Sequence, residues 1–280
     1  MPIRLIAIDI DGTLLDSTFK VPEANRRAIA DAMEAGIEVA LVTGRRFDFA
    51  RPIAEQLRAF PTMIVNNGAL VKTSDGVTRL KHLLDANTAR AVLEATLEFR
   101  NGTAVVFDRQ RDNQVIYERI DWNDPNRRGY YERNREYIAE VNPLEDCLTE
   151  DPIGVMYTGP LATIHNTYAM LSGHDARENF SLATTEYPAR DFAMLDVAHP
   201  SVSKGAALAE WTAYRGYSRE ETMAIGDNHN DREMLEFAGL PVLMANCVEE
   251  LKSTGWRRTL SNDESGVAAA IDAYALGNAN

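Results

Sequence analysis

An apolar run near the start of the chain ends abruptly in two acidic residues. The run is Leu5-Ile6-Ala7-Ile8, and it leads directly into Asp9-Ile10-Asp11-Gly12-Thr13. A short run of branched apolar residues is typical of a strand buried on both faces, as in a parallel sheet. The run therefore predicts an α/β fold in which Asp9 and Asp11 lie where the strand leaves the sheet, the edge at which such folds bind ligands.

Two carboxylates so close together repel each other unless a cation, a hydrogen-bond network or a shared proton compensates. Asp-Gly is also an ordinary turn signal, so the pair alone indicates either a loop or a functional site. The decision between these two interpretations depends on the rest of the chain.

Two later segments offer groups that could compensate such a pair. Thr43-Gly44-Arg45 follows a second apolar run, from Ile37 to Val42, and supplies hydrogen-bond donors for an anion at another strand end. Ser203-Lys204-Gly205 opens a helical pattern, from Ala206 to Tyr214. The Lys204 ammonium would thus lie beside the positive end of a helix dipole, an arrangement that suits a phosphate.

A third segment supplies oxygen ligands. The strand pattern of Met223-Ala224-Ile225 breaks at Gly226 into Asp227-Asn228-His229-Asn230-Asp231, before a helical pattern from Arg232 to Ala238. Hard oxygen ligands at a strand end are those that Mg²⁺ prefers, and we interpret this loop as the metal-binding half of a site. His229 is expected to be exposed, because Mg²⁺ selects oxygen over imidazole. Each segment alone also fits a purely structural role, but their joint occurrence at strand ends favours a site.

Together these segments resemble the motifs of the haloacid dehalogenase superfamily, specifically its Cof-type phosphatases with a large class 2 cap of the C2B-like kind. Asn66-Asn67-Gly68-Ala69 and Ser261-Asn262-Asp263-Glu264-Ser265-Gly266-Val267 fit the same subgroup. The resemblance covers both flanks of the chain and hardly any of its middle.

The resemblance implies that Asp9 is the nucleophile, which becomes an aspartyl-phosphate, and that Asp11 is the general acid and base. It implies a Mg²⁺ ion held by the Asp9 carboxylate, the Asp11 backbone carbonyl and the Asp227 carboxylate. Thr43 and Lys204 would bind the transferring phosphoryl oxygens. Further substrate-binding positions are Gly44, Arg45 and Asn230, with Asp231 in a supporting role.

Three of these assignments leave alternatives open. Arg45 follows the Thr43-Gly44 turn and either reaches the substrate or pairs with a nearby acid. Asn230 and Asp231 either contact phosphate, orient a water molecule or hold Lys204.

The second acid, Asp11, separates the chemistries of the superfamily. Members that cleave carbon–halogen bonds or phosphonates resemble this chain but lack that acid, because no alkoxide leaving group needs a proton. The resemblance therefore implies a Mg²⁺-dependent phosphatase for small phosphorylated metabolites, with sugar phosphates ahead of nucleotide or cofactor phosphates. A phosphotransferase or phosphomutase acting on sugar phosphates would use the same motifs, and a non-catalytic metabolite-binding member is the third alternative.

The composition of the chain disfavours several classes of binding partner. The 280 residues carry a formal net charge of −13 and a pI near 4.9, which disfavours nucleic acid and acidic membrane surfaces. Only Cys147 and Cys247 occur, too few for a disulfide framework, and no apolar run approaches the roughly 18 residues of a spanning helix. We expect a cytoplasmic enzyme that is a monomer or a homodimer.

The pattern along the chain predicts a Rossmann-like core with a central parallel sheet, interrupted by one insertion. We expect the catalytic core at 1–82 and 189–280 and an inserted α+β cap at 83–188, with the strand from Phe192 to Val197 already in the core. The cap is expected to cover the site and contact the leaving group. Its aromatic and arginine-rich stretch, 117–137, contains candidates for that contact, although most of these side chains are expected to pack.

Overall fold

A computed structural model describes residues 1–57, 60–124 and 127–277. The chain divides into two compact units. The first, here called the core unit, comprises Met1–Lys81 and Val202–Asn280, and the second, the inserted unit, comprises His82–Ser201. Within the described ranges, no helix is long and apolar enough to cross a bilayer.

The strands, in chain order, are β1 (Leu5–Asp9), β2 (Glu38–Val42), β3 (Thr62–Val65), β4 (Leu70–Lys72), β5 (Thr78–Lys81), β6 (Thr103–Val106), β7 (Val115–Tyr117), β8 (Ile138–Glu140), β9 (Gly154–Gly159), β10 (Ser181–Tyr187), β11 (Phe192–Ala198), β12 (Thr222–Gly226), β13 (Leu240–Leu243) and β14 (Arg257–Arg258). The α-helices are α1 (Glu23–Glu34), α2 (Phe47–Ala54), α3 (Ala86–Ala95), α4 (Arg128–Arg133), α5 (Leu161–Ser172), α6 (Lys204–Tyr214), α7 (Arg232–Phe237) and α8 (Gly266–Ala270).

The core unit is built on one sheet with the order β14-β13-β12-β1-β2-β3-β4-β5. The six strands from β14 to β3 run parallel, and β4 and β5 continue the sheet antiparallel. All five residues of β1 are buried, as the apolar run Leu5-Ile6-Ala7-Ile8 predicts for a strand with both faces covered. The predicted α/β fold with a central parallel sheet is therefore confirmed.

The central position of β1 decides where a ligand site can form. The chain proceeds from β1 to β2 and β3 on one side, and later adds β12 on the other side. Connections on opposite sides of one strand diverge above its carboxyl end and leave a crevice there. Asp9 and the segment after β12 therefore lie at the switch point of the sheet.

The inserted unit contains a second sheet with the order β10-β11-β9-β6-β7-β8, in which only the β7–β8 pair among the described strands is parallel. One face is covered by α3 and α5, whose buried residues Val92, Leu93 and Ile164 join Val155 and Leu195 of the sheet in one apolar cluster. This arrangement is the α+β module that the sequence predicts.

The second boundary of the insertion was placed wrongly by the sequence. The strand Phe192–Ala198, expected in the core, pairs antiparallel with β9 and β10 in the inserted unit, which continues to Ser201 rather than ending at 188. Alternate residues of β11 are buried, as in a strand with one covered face, whereas β1 is buried throughout. The first boundary lies one residue earlier than expected, at His82.

The aromatic stretch of the inserted unit packs mainly on its sheet. Tyr117 and Tyr131 are buried together, with their rings edge to face at 5.7 Å, and Arg127 lies over the Tyr131 ring at 5.0 Å. Within the stretch 117–137, Pro125 and Asn126 lie outside the described residues. The packing that the sequence favours for most of these side chains is what the described part of the stretch shows.

Candidate active site

The parallel register gathers the predicted site residues at one edge of the core sheet. Asp9 is the last residue of β1, Thr43 follows β2, and Asp227 follows β12. Because β1 pairs in parallel with both β2 and β12, the three residues follow or end neighbouring strands at their carboxyl ends. All three are at least nine-tenths buried.

Lys204 connects the first and last of the predicted segments. Its Nζ lies 2.6 Å from Asp9 Oδ1 and 2.6 Å from Asp231 Oδ1, and the side chain is 2% exposed. Lys204 begins α6, whose preceding residue Ser203 caps the helix by accepting the Ala206 N–H at 3.1 Å. Burial alone would lower the pKa of Lys204, but the carboxylates of Asp231 and Asp9 outweigh that effect and raise the pKa above its ordinary value. The lysine is therefore a fixed positive charge.

Asp231 holds this lysine and the loop after β12 at the same time. Its Oδ1 accepts from Lys204, while its Oδ2 accepts the backbone N–H groups of Asp227 and Asn228, each at 3.0 Å. Of the alternatives open for Asp231, holding Lys204 is the one that these contacts match. His229, in the same loop, is exposed, as the sequence predicts.

Asp227 is oriented by Thr13, a residue of the first motif to which the sequence analysis assigned no role. Thr13 is fully buried, and its hydroxyl donates to Asp227 Oδ1 at 2.8 Å. Gly12, beside it, has φ of +81°, and a Cβ atom there would lie 2.4 Å from Asp227 Oδ2. The turn after β1 therefore requires a glycine, both for its left-handed backbone and for the close approach of the Asp227 carboxylate.

Three buried carboxylates crowd together at this edge. One oxygen from each of Asp9, Asp227 and Asp231 lies within 4.8 Å of the others. Burial, followed by repulsion from Asp231, raises the pKa of Asp9 well above its ordinary value, against the attraction of Lys204. The same two causes raise the pKa of Asp227 to about 7. Carboxylate oxygens whose negative charges are poorly compensated are the ligands that a hard divalent cation prefers, so the carboxylates of Asp9 and Asp227 fit Mg²⁺.

Arg45 forms a two-pronged ion pair with Asp11. Its Nε donates to Asp11 Oδ2 at 2.7 Å and its terminal nitrogen donates to Asp11 Oδ1 at 2.5 Å. Both side chains are partly accessible, whereas Asp9 is almost fully buried. Of the two alternatives for Arg45, pairing with a nearby acid is the contact that this structure contains.

The loop after β2 packs against the loop after β3. Thr43 Oγ1 accepts the Arg45 N–H at 3.1 Å, and a Cβ atom on Gly44 would lie 2.9 Å from Asn67 Oδ1. That same Asn67 oxygen accepts from Asn230 Nδ2 at 3.5 Å. The amides of Asn67 and Asn230 thus link the Gly44 turn to the loop after β12.

The sequence analysis assigned no role to Asn67 and Asn246, two residues that connect the loops of the site. Asn67 belongs to a motif that the sequence flagged, but its link to Gly44 depends on contact between two loops. Asn246 donates from Nδ2 to the Gly12 carbonyl at 2.8 Å and accepts the Asn262 N–H at 3.0 Å. Asn262 lies in the flagged segment near the end of the chain, so that segment braces the turn after β1.

The fold and this site define a hydrolase of the haloacid dehalogenase type. A model of the haloacid dehalogenase-like hydrolases matches residues 6–271, and the chain belongs to that family. Phosphatase YwpJ of Bacillus subtilis is 30% identical over 287 residues, covering 95% of this chain and 97% of the relative. The 5-amino-6-(5-phospho-D-ribitylamino)uracil phosphatase YcsE of the same organism is 30% identical over 277 residues, covering 98% of this chain and 96% of the relative.

Solved structures agree with this assignment. A haloacid dehalogenase-like hydrolase from Bacteroides thetaiotaomicron superposes with a TM-score of 0.81 at 25% identity, covering 97% of this chain and 99% of that one. The chain is a Cof-type phosphatase, and thus a phosphoric monoester hydrolase acting on small phosphorylated molecules.

Proposed function

We propose that this chain is a Mg²⁺-dependent phosphatase that hydrolyses sugar phosphates through an aspartyl-phosphate on Asp9. The observation that carries the proposal is the buried contact between Lys204 Nζ and Asp9 Oδ1, with the Asp227 carboxylate beside them at the switch point of the sheet. A nucleophile, a cation for phosphoryl oxygens and metal ligands are thereby gathered where α/β folds bind substrates.

The proposed metal ligands are the Asp9 carboxylate, the Asp11 backbone carbonyl and the Asp227 carboxylate. Asp231 is left out because Lys204 and two backbone N–H groups already occupy its oxygens. A bound Mg²⁺ would lower the repulsion between an anionic nucleophile and an anionic phosphate. Thr13 would keep the Asp227 carboxylate oriented toward the ion through its 2.8 Å hydrogen bond.

In the first step, an Asp9 oxygen attacks phosphorus while the bond from phosphorus to the ester oxygen breaks. Lys204 and Thr43 bind the equatorial phosphoryl oxygens, where charge spreads as the transition state forms. Thr43 is suited to this role because its hydroxyl oxygen already accepts the Arg45 N–H, which leaves the hydroxyl hydrogen available to donate.

Asp11 carries protons in both steps. Its carboxylic acid protonates the departing alkoxide, and the resulting carboxylate then removes a proton from the water that attacks the aspartyl-phosphate. The products are the alcohol, inorganic phosphate and the regenerated Asp9 carboxylate, so the proton that Asp11 donated is restored. The partial exposure of Asp11, in contrast to buried Asp9, suits a group that exchanges protons with water and the leaving group.

The proposed leaving group is a sugar or sugar alcohol. The name of the relative YcsE specifies a phosphate on a ribityl chain, which is a leaving group of this kind.

The test is a phosphate-release assay on a panel of sugar phosphates and an aryl phosphate, with and without MgCl₂, and with an added acceptor sugar. The proposal predicts Mg²⁺-dependent release of inorganic phosphate, unaffected by the acceptor and lost in the Asp9→Asn variant. Transfer of the phosphoryl group to the acceptor without phosphate release would instead identify a phosphotransferase. Unchanged turnover in Asp9→Asn would overturn the mechanism.

A further inference from the structure

We propose that Arg45 is a specificity-determining residue that exchanges Asp11 for a second anionic group on the substrate. The preferred substrates would then be sugar phosphates whose leaving group carries its own carboxylate or phosphate. This inference rests on the proposed function, because it concerns the substrate of the same site.

The ion pair blocks the acid role of Asp11 while it lasts. Both carboxylate oxygens of Asp11 accept from Arg45, one from Nε at 2.7 Å and one from the terminal nitrogen at 2.5 Å. A carboxyl group that donates a proton to a leaving group must instead carry hydrogen on one oxygen and point it at the ester. The first chemical step therefore requires that this two-pronged contact be broken or rearranged.

The position of the pair allows a substrate to break it. The side chains of Arg45 and Asp11 are 28% and 50% exposed, so both can be approached from solvent. The Lys204 pairs with Asp9 and Asp231 differ, because all three of those side chains are at most 5% exposed. The structure thus contains a buried ion-pair network around Lys204 and, separately, a solvent-accessible ion pair that involves the proposed acid and base, Asp11.

The chemistry of guanidinium selects what can replace Asp11. The planar guanidinium group of arginine binds a carboxylate or a phosphate through two parallel hydrogen bonds between charged partners. A sugar hydroxyl is neutral and accepts at a single oxygen, so it cannot replace a carboxylate on equal terms. An anionic group on the leaving group can do so, and its binding would release Asp11 to act on the ester oxygen.

The geometry of the backbone fixes where the arginine starts. The Arg45 N–H donates to Thr43 Oγ1 at 3.1 Å, so the side chain begins beside a residue proposed to bind the phosphoryl group. The second anion would therefore sit within one arginine side chain of the scissile phosphate, as in a small sugar bisphosphate or a sugar-acid phosphate.

The test compares kcat/KM for matched substrates in the wild type and in Arg45→Gln. One pair is fructose 1,6-bisphosphate and fructose 6-phosphate, and another is 6-phosphogluconate and glucose 6-phosphate. The inference predicts that the wild type prefers the doubly anionic member of at least one pair by roughly tenfold or more, as a charged contact allows. Arg45→Gln should abolish that preference by lowering kcat/KM for the doubly anionic substrate. Arg45→Lys should retain part of the preference.

The matched control is Arg51→Gln, which removes another arginine of the same region whose partner, Glu55, lies on the surface. This variant should keep the wild-type preference. An equal loss for both members of each pair in Arg45→Gln would show that Arg45 only positions Asp11, and would overturn the inference. Equal kcat/KM values within both pairs in the wild type would also overturn it while leaving the proposed phosphatase activity intact, whereas failure to release phosphate from any substrate would contradict the proposed function itself.

Discussion

Lys204 Nζ and Asp9 Oδ1 lie 2.6 Å apart in the interior of the core unit, although 195 residues separate them in the sequence. The whole inserted unit lies between them along the chain. Their contact exists because β1 is central in the sheet and α6 starts beside its carboxyl end. The proposed site is therefore a product of the complete core unit rather than of one local motif.

Loss of Lys204 should destabilise the protein as well as inactivate it. In Lys204→Met, the carboxylates of Asp9 and Asp231 stay buried without their cation, which is expected to lower the free energy of unfolding by about 3 to 5 kcal/mol. Denaturant unfolding measures this cost. Adding Asp231→Asn should recover part of the loss, because the two residues are coupled. Lys252→Met, which removes an exposed pair with Glu249, is the control and should change stability by less than about 0.5 kcal/mol.

The turn after β1 should tolerate no side chain at Gly12. Gly12→Ala combines a φ of +81° with a Cβ atom 2.4 Å from Asp227 Oδ2, so we expect loss of stability, weaker Mg²⁺ binding and loss of phosphatase activity. Gly36→Ala is a matched control, because Gly36 has φ of +84° but its Cβ would meet no described atom within 4 Å. The control should cost only the backbone penalty of about 1 to 2 kcal/mol and keep its activity. Equal effects of both variants would contradict the close approach of Asp227.

Stabilisation by Mg²⁺ should increase with pH. In the metal-free folded state, the pKa of Asp227 is raised to about 7, and the pKa of Asp9 lies well above its ordinary value. A raised folded pKa gives stability that is complete below the unfolded pKa, near 4, and is lost as the pH rises through the folded pKa. The metal-free protein should therefore lose stability from about pH 4 to pH 8 on account of Asp227, and the raised pKa of Asp9 acts in the same direction. Mg²⁺, which binds the deprotonated carboxylates, should restore that stability.

Thermal unfolding with and without MgCl₂ at pH 5.5 and pH 8 checks this dependence. The increase in Tm on adding MgCl₂ should be larger at pH 8 than at pH 5.5. Asp227→Asn should reduce this increase at both pH values. A Tm increase that is larger at pH 5.5 would contradict the assignment of Asp9 and Asp227 as ligands.

The sequence predicted the parallel sheet and the edge at which Asp9 lies because the signals there are local and redundant. The run before Asp9 is apolar throughout, and the apolar run from Ile37 to Val42 contains β2 (Glu38–Val42). The end of the insertion was predicted less well, because Phe192–Ala198 is equally strand-like in either sheet and its placement depends on pairing with β9 and β10.

Within the site, residue types were easier to predict than contacts. Asp9, Thr43, Lys204 and Asp227 could be named because each follows or opens a recognisable element. The hydrogen bond from Thr13 to Asp227 and the choice of Asp11 as the partner of Arg45 depend on side-chain rotamers and on loops that meet only in the folded chain. Asn246 was not predicted for the same reason, since its contact with the Gly12 carbonyl spans 234 residues.

The most direct test of the central claim is to trap the phosphoryl group on Asp9. In Asp11→Asn, an aryl phosphate should still react in the first step, because its leaving group needs little protonation, but hydrolysis of the intermediate should be slow without the base. Acid quenching after mixing with Mg²⁺ and the aryl phosphate, followed by peptide mass spectrometry, should find the phosphoryl group on Asp9. The adduct should be absent from the Asp9→Asn/Asp11→Asn double variant. Turnover without any adduct, or an adduct on a different residue, would contradict the account.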